Sequence, residues 1–194
     1  NLTNTKTAFV QNGIRSHWSD IFSQKNLIKP ENKKKFSVDY MFVANSKIGK
    51  NYNSFINGKT ITIGSFKNNM IKVRKTKKKR EILLISTFRT EDKNQIVSHG
   101  KTWKEFTKND KYCLSWLLKT ADKKKINIKI LGRMSEKDSS KELNYYRNIS
   151  KKNNFKYIAN YSGRNTYKIL NSFKFVFTID STLGIENLVR NGKS

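Results

Sequence analysis

The chain has 194 residues, a formal net charge of +27, and 36% hydrophobic and 12% aromatic residues. That length can bury a core in one or two compact units, and no apolar run reaches the ~20 residues of a membrane-spanning helix. The single cysteine, Cys113, excludes an internal disulfide, and with only two histidines the usual zinc-ligand patterns are absent.

The excess of positive charge has two interpretations. A basic surface suits nucleic acid or an anionic membrane. However, the chain is rich in Lys, Asn, Ile, Phe and Tyr, and AT-rich codons give this composition without selection for a basic surface. Lysine also outnumbers arginine, whereas specific phosphate recognition favours the guanidinium fork. Both interpretations stay open.

The first part of the chain predicts three short strands and one helix. Apolar runs predict strands at Ala8–Val10, 40–44 and 60–63, and residues 47–56 have helical spacing. The basic run at residues 74–80 then predicts a linker, which divides the chain into residues 1–73 and 81–194. The sequence begins at Asn1 and stops where another strand is expected, so we expect a fragment of a longer protein.

After the basic run, strands and helices alternate. Strands are predicted at residues 81–86, 127–131, 155–158 and 174–179, and helices at 102–122, 139–151 and 166–171, the second capped by Ser139 or Ser140. This alternation predicts an α/β fold with a doubly wound parallel sheet. Ligands bind such sheets beyond the carboxyl ends of the strands, here the loops at residues 86–101, 132–138, 160–165 and 180–184.

The turn Asp180-Ser181-Thr182-Leu183-Gly184 follows the last strand and precedes a helix that we expect to open near Glu186. A helix start attracts anions, the hydroxyls can bind a phosphate, and Gly184 permits close approach of backbone to a ligand. The Glu186 carboxylate can accept hydrogen bonds from a ribose. The alternative is ordinary helix capping by Asp, Ser and Thr.

Other loops carry polar candidates. Arg133 and Arg89 each follow a predicted strand, where either can pair with a phosphate or a sugar carboxylate, or simply lie on the surface. In the first part, two loops have hydrogen-bonding side chains suited to a sugar or typical of any loop: Gln11, Asn12, Gly13, Arg15, Ser65 and Asn68. No GxGxxG, Walker loop or Ser/His/Asp arrangement is present.

A set of motifs in fixed order resembles the surface-carbohydrate (O-antigen type) biosynthesis proteins, which are glycosyltransferase-like proteins of bacterial envelope pathways. The motifs are Gln11-Asn-Gly-Ile-Arg15, Val38-Asp39-Tyr40, Gly64-Ser-Phe-Lys-Asn-Asn69, Ile82-Leu-Leu-Ile-Ser86, Ile130-Leu-Gly-Arg133 and Thr178-Ile-Asp-Ser-Thr-Leu-Gly-Ile-Glu186. The resemblance implies the two-domain GT-B fold. Residues 1–73 would end an acceptor-side domain, and residues 81–194 would form a truncated, Rossmann-like nucleotide-sugar-binding domain.

The resemblance also implies a set of donor contacts. Ser181, Thr182 and Gly184 would face a donor phosphate, with Arg133 as a cationic partner, and Glu186 would face the ribose or base. Asp180 and Arg89 would be further donor-binding residues. The same turn is similar to the Asp-Ser-Gly-Gly turn of UDP-GlcNAc 2-epimerases, although Thr182 and Leu183 replace the paired glycines. Gln11, Asn12, Gly13, Arg15, Ser65 and Asn68 would belong to acceptor or interdomain loops. Asp39 and Glu91 are the candidates for the catalytic base, unless the base lies outside this chain.

The implied activity is metal-independent glycosyl transfer from a nucleotide sugar to a glycan, free or lipid-linked, in the cytoplasm at the inner face of the inner membrane. No cofactor or metal is expected, because helix dipoles and cationic side chains stabilise the leaving diphosphate. The basic run can contact anionic lipid. We expect no nucleic-acid partner; the alternatives are a basic nucleic-acid-binding module and a non-catalytic scaffold relative.

Overall fold

The computed structural model describes residues 5–11, 36–72, 79–90, 102–151, 154–160, 163–179 and 181–189. The chain divides into two compact units, Asn1–Met70 (unit 1) and Ile71–Ser194 (unit 2). Each unit has its own sheet, and every strand pair described is parallel. The α/β class with parallel sheets is therefore confirmed, and it is compatible with a Rossmann-like fold.

Unit 1 contains strands β1 to β3 and two helices, with the strands in the order β1-β2-β3. Its elements are β1 (Ala8–Val10), β2 (Phe36–Val43), α1 (Ser46–Asn53), β3 (Ile56–Thr62) and α2 (Phe66–Asn69). The prediction ended α1 too late. Ile56 fits the helical spacing, but it begins β3 and packs with Met41, Val43 and Tyr52 in the core.

Unit 2 alternates strands and helices as predicted. Its elements are β4 (Lys79–Ile85), α3 (Trp103–Lys124), β5 (Ile128–Leu131), α4 (Ser139–Ser150), β6 (Phe155–Ile158), α5 (Gly163–Asn171), β7 (Phe173–Phe177) and α6 (Thr182–Val189). The predicted linker is wrong at its end, because Lys79 and Arg80 are the first residues of β4. The rest of the basic run, residues 74–78, lies outside the described residues.

The strand order β6-β5-β4-β7 determines where a ligand site can form in unit 2. In chain order these are the third, second, first and fourth strands of unit 2. From β4 the chain adds β5 and β6 on one side and then returns to add β7 on the other side, so the strand order reverses between β4 and β7. A reversal of this kind opens a crevice at the carboxyl ends of the strands on either side of it. Loops leaving β4 and β7 therefore border the expected site.

Both faces of the second sheet are covered. Ile82 and Leu84 of β4 pack into one cluster with α3 and α4, whereas Leu83 and Ile85 pack into another with α5. This alternation follows from the two-residue period of a strand. Burial on both faces explains why the strand reads as a continuous apolar run in the sequence.

The helix boundaries depend on local capping. Thr102 and Glu105 form a reciprocal capping box at the start of α3, as its sequence allows. The predicted span of α4 is confirmed, but its predicted N-cap is wrong. Ser139 is the first helical residue, preceded by a 3₁₀ turn at Glu136–Asp138, and its hydroxyl donates to the Glu136 carbonyl at 2.7 Å. Among the described residues, no helix has the length and apolarity needed to cross a membrane.

Candidate functional site

A cavity of about 330 Å³ opens at the carboxyl edge of the second sheet. Its lining residues lie at the carboxyl end of a strand or after it, and all four strands contribute. They are Ile85, Ser86 and Arg89 for β4; Leu131, Gly132 and Arg133 for β5; Asn160 and Thr166 for β6; and Ser181, Thr182 and Leu183 for β7. Each of the four loops singled out in the sequence contributes to it. The cavity thus lies at the reversal between β4 and β7 that the topology indicates.

The N-terminus of α6 forms one side of this cavity. The helix begins at Thr182, and Ser181 precedes it. The Leu183 amide donates to the Ser181 hydroxyl at 3.4 Å and the Gly184 amide to the Ser181 carbonyl at 3.0 Å. Ser181 therefore acts as a capping residue and lines the cavity at once. The positive end of the helix dipole borders the space where a ligand would lie.

Two arginines make the cavity positive. Arg133 is exposed and Arg89 is half-buried, and both line the cavity. The loop of Arg89 is fixed by the Trp103 indole, whose Nε1 donates to the Arg89 carbonyl at 3.1 Å. The described lining residues include no carboxylate. The arrangement suits an anion.

Gly184 has a packing role that the sequence did not indicate. It is buried, and it is not among the lining residues. A Cβ at this position would clash with Cγ2 of Thr178, which follows β7. The absence of a side chain therefore lets α6 pack closely against the end of β7. This contact positions the N-terminus of α6, whereas the expectation was close approach to a phosphate.

Glu186 lies deeper in the helix than expected. Because α6 begins at Thr182, Glu186 is in its second turn, so the expectation that the helix opens near Glu186 is wrong. Its buried carboxylate accepts a hydrogen bond from the Tyr167 hydroxyl at 2.7 Å, and it is not among the lining residues. Asp180 lies outside the described residues.

Glu142 on α4 is a residue that the sequence reasoning missed. It is fully buried and accepts hydrogen bonds from the amides of Arg133 and Met134, the Tyr157 hydroxyl and the Ser86 hydroxyl. The available signal was a carboxylate on the apolar face of a helix, one turn before Tyr146. It joins the loops after β4 and β5 to strand β6.

A second buried carboxylate belongs to Asp110 of α3. It accepts hydrogen bonds from the Thr87 hydroxyl and, at 3.5 Å, from the Tyr145 hydroxyl. Loss of hydration raises the pKa of Asp110 above its ordinary value, more than its hydrogen bonds lower it. Burial, followed by the charge of Asp110, also raises the pKa values of Tyr145 and Tyr146. Both tyrosines are therefore hydrogen-bond donors at neutral pH.

Of the two candidate catalytic carboxylates, Asp39 and Glu91, the structure describes only Asp39. Asp39 lies in unit 1, in the middle of β2, and its Oδ2 accepts from the amide and the hydroxyl of Thr7 at 2.7 and 3.0 Å. These bonds, with Lys6 contributing less, lower the pKa of Asp39 and make it a weak base. Glu91 lies outside the described residues.

The polar candidates of unit 1 are in structural contacts where they are described. Gln11 is buried. Its backbone amide donates to the Phe42 carbonyl at 2.9 Å, and its side-chain oxygen accepts from the Ala44 backbone amide at 2.9 Å. Ser65 caps α2 by accepting from the amide of the buried Asn68 at 3.3 Å. Asn12, Gly13 and Arg15 lie outside the described residues.

One surface of unit 2 interleaves lysines with aromatic rings. Tyr112 and Trp116, one turn apart on α3, are 66% and 57% exposed. Lys108 lies over the Tyr112 ring with its Nζ 5.9 Å from the centroid, and Lys119 is exposed on the same helix face. We call these four residues the α3 stripe.

In the ranges that the structure covers, no group of three His, Cys, Asp or Glu residues could hold a metal ion.

The chain belongs to a family described as "putative O-antigen biosynthesis protein", whose family model matches residues 8–194. No curated protein and no solved structure gives a significant match. The family confirms the O-antigen association that the ordered motifs indicated. A biosynthetic role agrees with an enzyme in general, and the type of reaction stays a prediction.

Proposed function

We propose that this chain is a glycosyltransferase-like protein of bacterial surface-polysaccharide (lipopolysaccharide O-antigen) biosynthesis that binds a nucleotide-activated sugar in the cavity of unit 2. The observation that carries the proposal is the position of that cavity. It lies at the sheet reversal, between two arginines and the N-terminus of α6, and its described lining has no carboxylate. A diphosphate is the group that such a lining would bind best.

The donor contacts follow from the lining. Arg89 and Arg133 would pair with the diphosphate, and Ser181 and Thr182 would donate hydrogen bonds to it beside the α6 dipole. Ser86, Asn160 and Thr166 offer further polar groups for the nucleoside or sugar. In this assignment Gly184 and Glu186 support α6 and have no contact with the donor.

The same groups would carry the chemistry of the leaving nucleotide. When a glycosyl bond breaks, negative charge develops on the diphosphate, and fixed cations and helix dipoles stabilise it. Two arginines and a helix N-terminus supply this stabilisation, so the proposed transfer needs no metal or other cofactor. The acceptor glycan, free or lipid-linked, and the base would be presented by groups other than those described around the cavity, as in a two-domain GT-B arrangement.

The expected setting is the cytoplasmic face of the inner membrane, where activated sugars meet lipid-linked acceptors. The basic run at residues 74–80 would add peripheral attraction to anionic lipid. A non-catalytic relative that keeps the cavity as a scaffold would bind the same nucleotide without turnover. Turnover of the bound sugar nucleotide therefore distinguishes an enzyme from a scaffold.

A second function, nucleic-acid binding, is favoured by one observation, the α3 stripe. Exposed aromatic rings between lysines can stack on bases while the lysines neutralise phosphates. Against it, most of the aromatic residues that the structure describes pack in or against the three core clusters, among them Tyr52, Phe88 and Phe173. Binding to single-stranded RNA or DNA that weakens steeply with salt, and that Trp116→Ser abolishes, would support this alternative.

The direct test is a thermal-shift panel of CMP, UDP and GDP and their sugar conjugates. We expect one nucleotide to raise the melting temperature, with its sugar conjugate at least as effective. A panel in which every nucleotide leaves the melting temperature unchanged would contradict the proposal.

A further inference from the structure

The Glu142 carboxylate brings together three neighbouring strands below the cavity. Its Oε1 accepts from the Ser86 hydroxyl and from the Arg133 amide at 3.0 Å. Its Oε2 accepts from the Met134 amide at 2.9 Å and from the Tyr157 hydroxyl at 2.7 Å. These donors belong to the loop after β4, the loop after β5 and strand β6. One side chain thus fixes the relative positions of all three.

The number of donors explains why the residue is a carboxylate. A carboxylate offers about four acceptor positions on two oxygens, and here two amides and two hydroxyls approach them. A glutamine has one acceptor oxygen, and its NH₂ group could donate to the Ser86 or Tyr157 hydroxyl only if that hydroxyl gave up its present role as a donor. Because the site is fully buried, no water can replace the lost bonds without rearrangement.

This network is in direct contact with the cavity wall. Ser86, Gly132 and Arg133 all line the cavity. A Cβ at Gly132 would clash with the Tyr157 hydroxyl and crowd Oε2 of Glu142, so the backbone at this point lies tightly against the network. The backbone that carries Arg133 to the cavity is therefore determined by Glu142.

We propose that Glu142 is a positioning residue for the anion site: it holds the loop after β5 in the conformation from which Arg133 reaches a bound diphosphate. Binding of an anion in the cavity rests on the proposed function, whereas the effect of Glu142 on the conformation of the loop after β5 does not. Glu142 would have no contact with the ligand. Its effect on binding should therefore act through Arg133, and this separates positioning from a general loss of stability.

Two measurements on the full chain test the proposal, with inorganic pyrophosphate as the probe. Hydrogen–deuterium exchange of residues 132–134 reports on the loop, and isothermal titration reports pyrophosphate affinity. In Glu142→Gln we expect faster exchange in this segment and about tenfold weaker binding. Asp122→Asn is the control, because it removes an exposed carboxylate from the last turn of α3, which leads to the amino end of β5.

A double-mutant cycle provides the decisive comparison. If Glu142 acts through Arg133, adding Glu142→Gln to Arg133→Gln should weaken binding by no more than about twofold beyond Arg133→Gln alone. Additive losses would overturn the proposal. So would Glu142→Gln with unchanged exchange at residues 132–134.

Two further outcomes are also decisive. If Glu142→Gln does not fold, Tyr157→Phe removes a single donor and should give a smaller increase in exchange and about twofold to threefold weaker binding; no change in either would overturn the proposal. If the wild type binds no pyrophosphate, the assignment of an anion to the cavity fails. Exchange at residues 132–134 alone then decides whether Glu142 holds the loop.

Discussion

The Tyr167 hydroxyl of α5 donates a hydrogen bond to Oε2 of Glu186 of α6 at 2.7 Å, and both side chains are buried. The bond joins the two helices whose N-terminal segments contribute Thr166 and Thr182 to the cavity. The carboxylate that the sequence predicts as a ribose ligand thus forms a hydrogen bond between two helices.

Removal of this hydrogen bond should lower the free energy of unfolding, and the effects of substitutions at Tyr167 and Glu186 should not be additive. Glu186→Ala leaves the buried Tyr167 hydroxyl without this acceptor, so we expect the free energy of unfolding to fall by about 1–3 kcal/mol. In a Tyr167→Phe background the same substitution should cost less, because the hydroxyl is already gone. Urea unfolding of the four proteins checks this, and strictly additive losses would show that the bond contributes little.

The same variants distinguish a helix link from a ligand contact. If Glu186 bound the ribose, Glu186→Ala would abolish nucleotide binding and Tyr167→Phe would leave it intact. We expect instead that both variants weaken binding to a similar, modest extent, because both loosen α6. Titration with the nucleotide that gives the largest thermal shift makes the comparison.

Gly184→Ala should destabilise unit 2 by about 1–3 kcal/mol, because the added methyl group would clash with Cγ2 of Thr178. Thr178→Ser removes that methyl group and keeps the hydroxyl. The double variant should therefore recover most of the loss, as measured by the midpoint of urea unfolding. Recovery that fails, or a neutral Gly184→Ala, would show that α6 does not depend on this contact.

Asp110 predicts a defined pH dependence. Its pKa is raised in the folded state from an ordinary value of 3.8, mainly by burial. The folded protein therefore holds this proton more tightly than the unfolded chain, and stability is lost as pH rises from 3.8 through the raised pKa. Asp110→Asn lacks this loss and can still accept from Thr87. Its free energy of unfolding relative to the wild type should increase with pH across that window.

The control for this series is Asp122→Asn, which removes the same charge from the exposed side of α3. It should not reproduce the trend, because Asp122 is exposed, whereas Asp110 is buried beside Thr87 and Tyr145. Unfolding free energies measured at a series of pH values from 3.8 upward make the comparison. A difference between Asp110→Asn and the wild type that stays constant with pH would contradict the assignment.

Periodicity predicted the strands of unit 2 because both of its sheet faces are buried, which gives β4 its continuous apolar run. It also placed Arg133 and Ser181 at the carboxyl edge, where the structure has the cavity. It failed where a role depends on a distant partner. Gly184 could not be assigned to packing without Thr178, and the four donors around Glu142 come from three separate segments.

The capping error at α4 has a similar cause. Serine is a strong N-cap residue, so Ser139 and Ser140 were the natural choices. The 3₁₀ turn at Glu136–Asp138 winds the chain before Ser139, whose hydroxyl then bonds back to Glu136. Whether a turn precedes a helix depends on how the loop after β5 is held, and in this protein that loop is bound to Glu142.

Isothermal titration shows whether the cavity of unit 2 binds a nucleotide through Arg133. The nucleotide selected by the thermal-shift panel is titrated into the wild type, Arg133→Gln and Arg80→Gln. Arg80 is the matched control, since it is exposed near the amino end of β4, at the opposite edge of the same sheet. We expect Arg133→Gln to weaken binding by about tenfold or more, whereas Arg80→Gln should change it by less than about twofold. Equal effects of the two variants, or no binding to the wild type, would contradict this expectation.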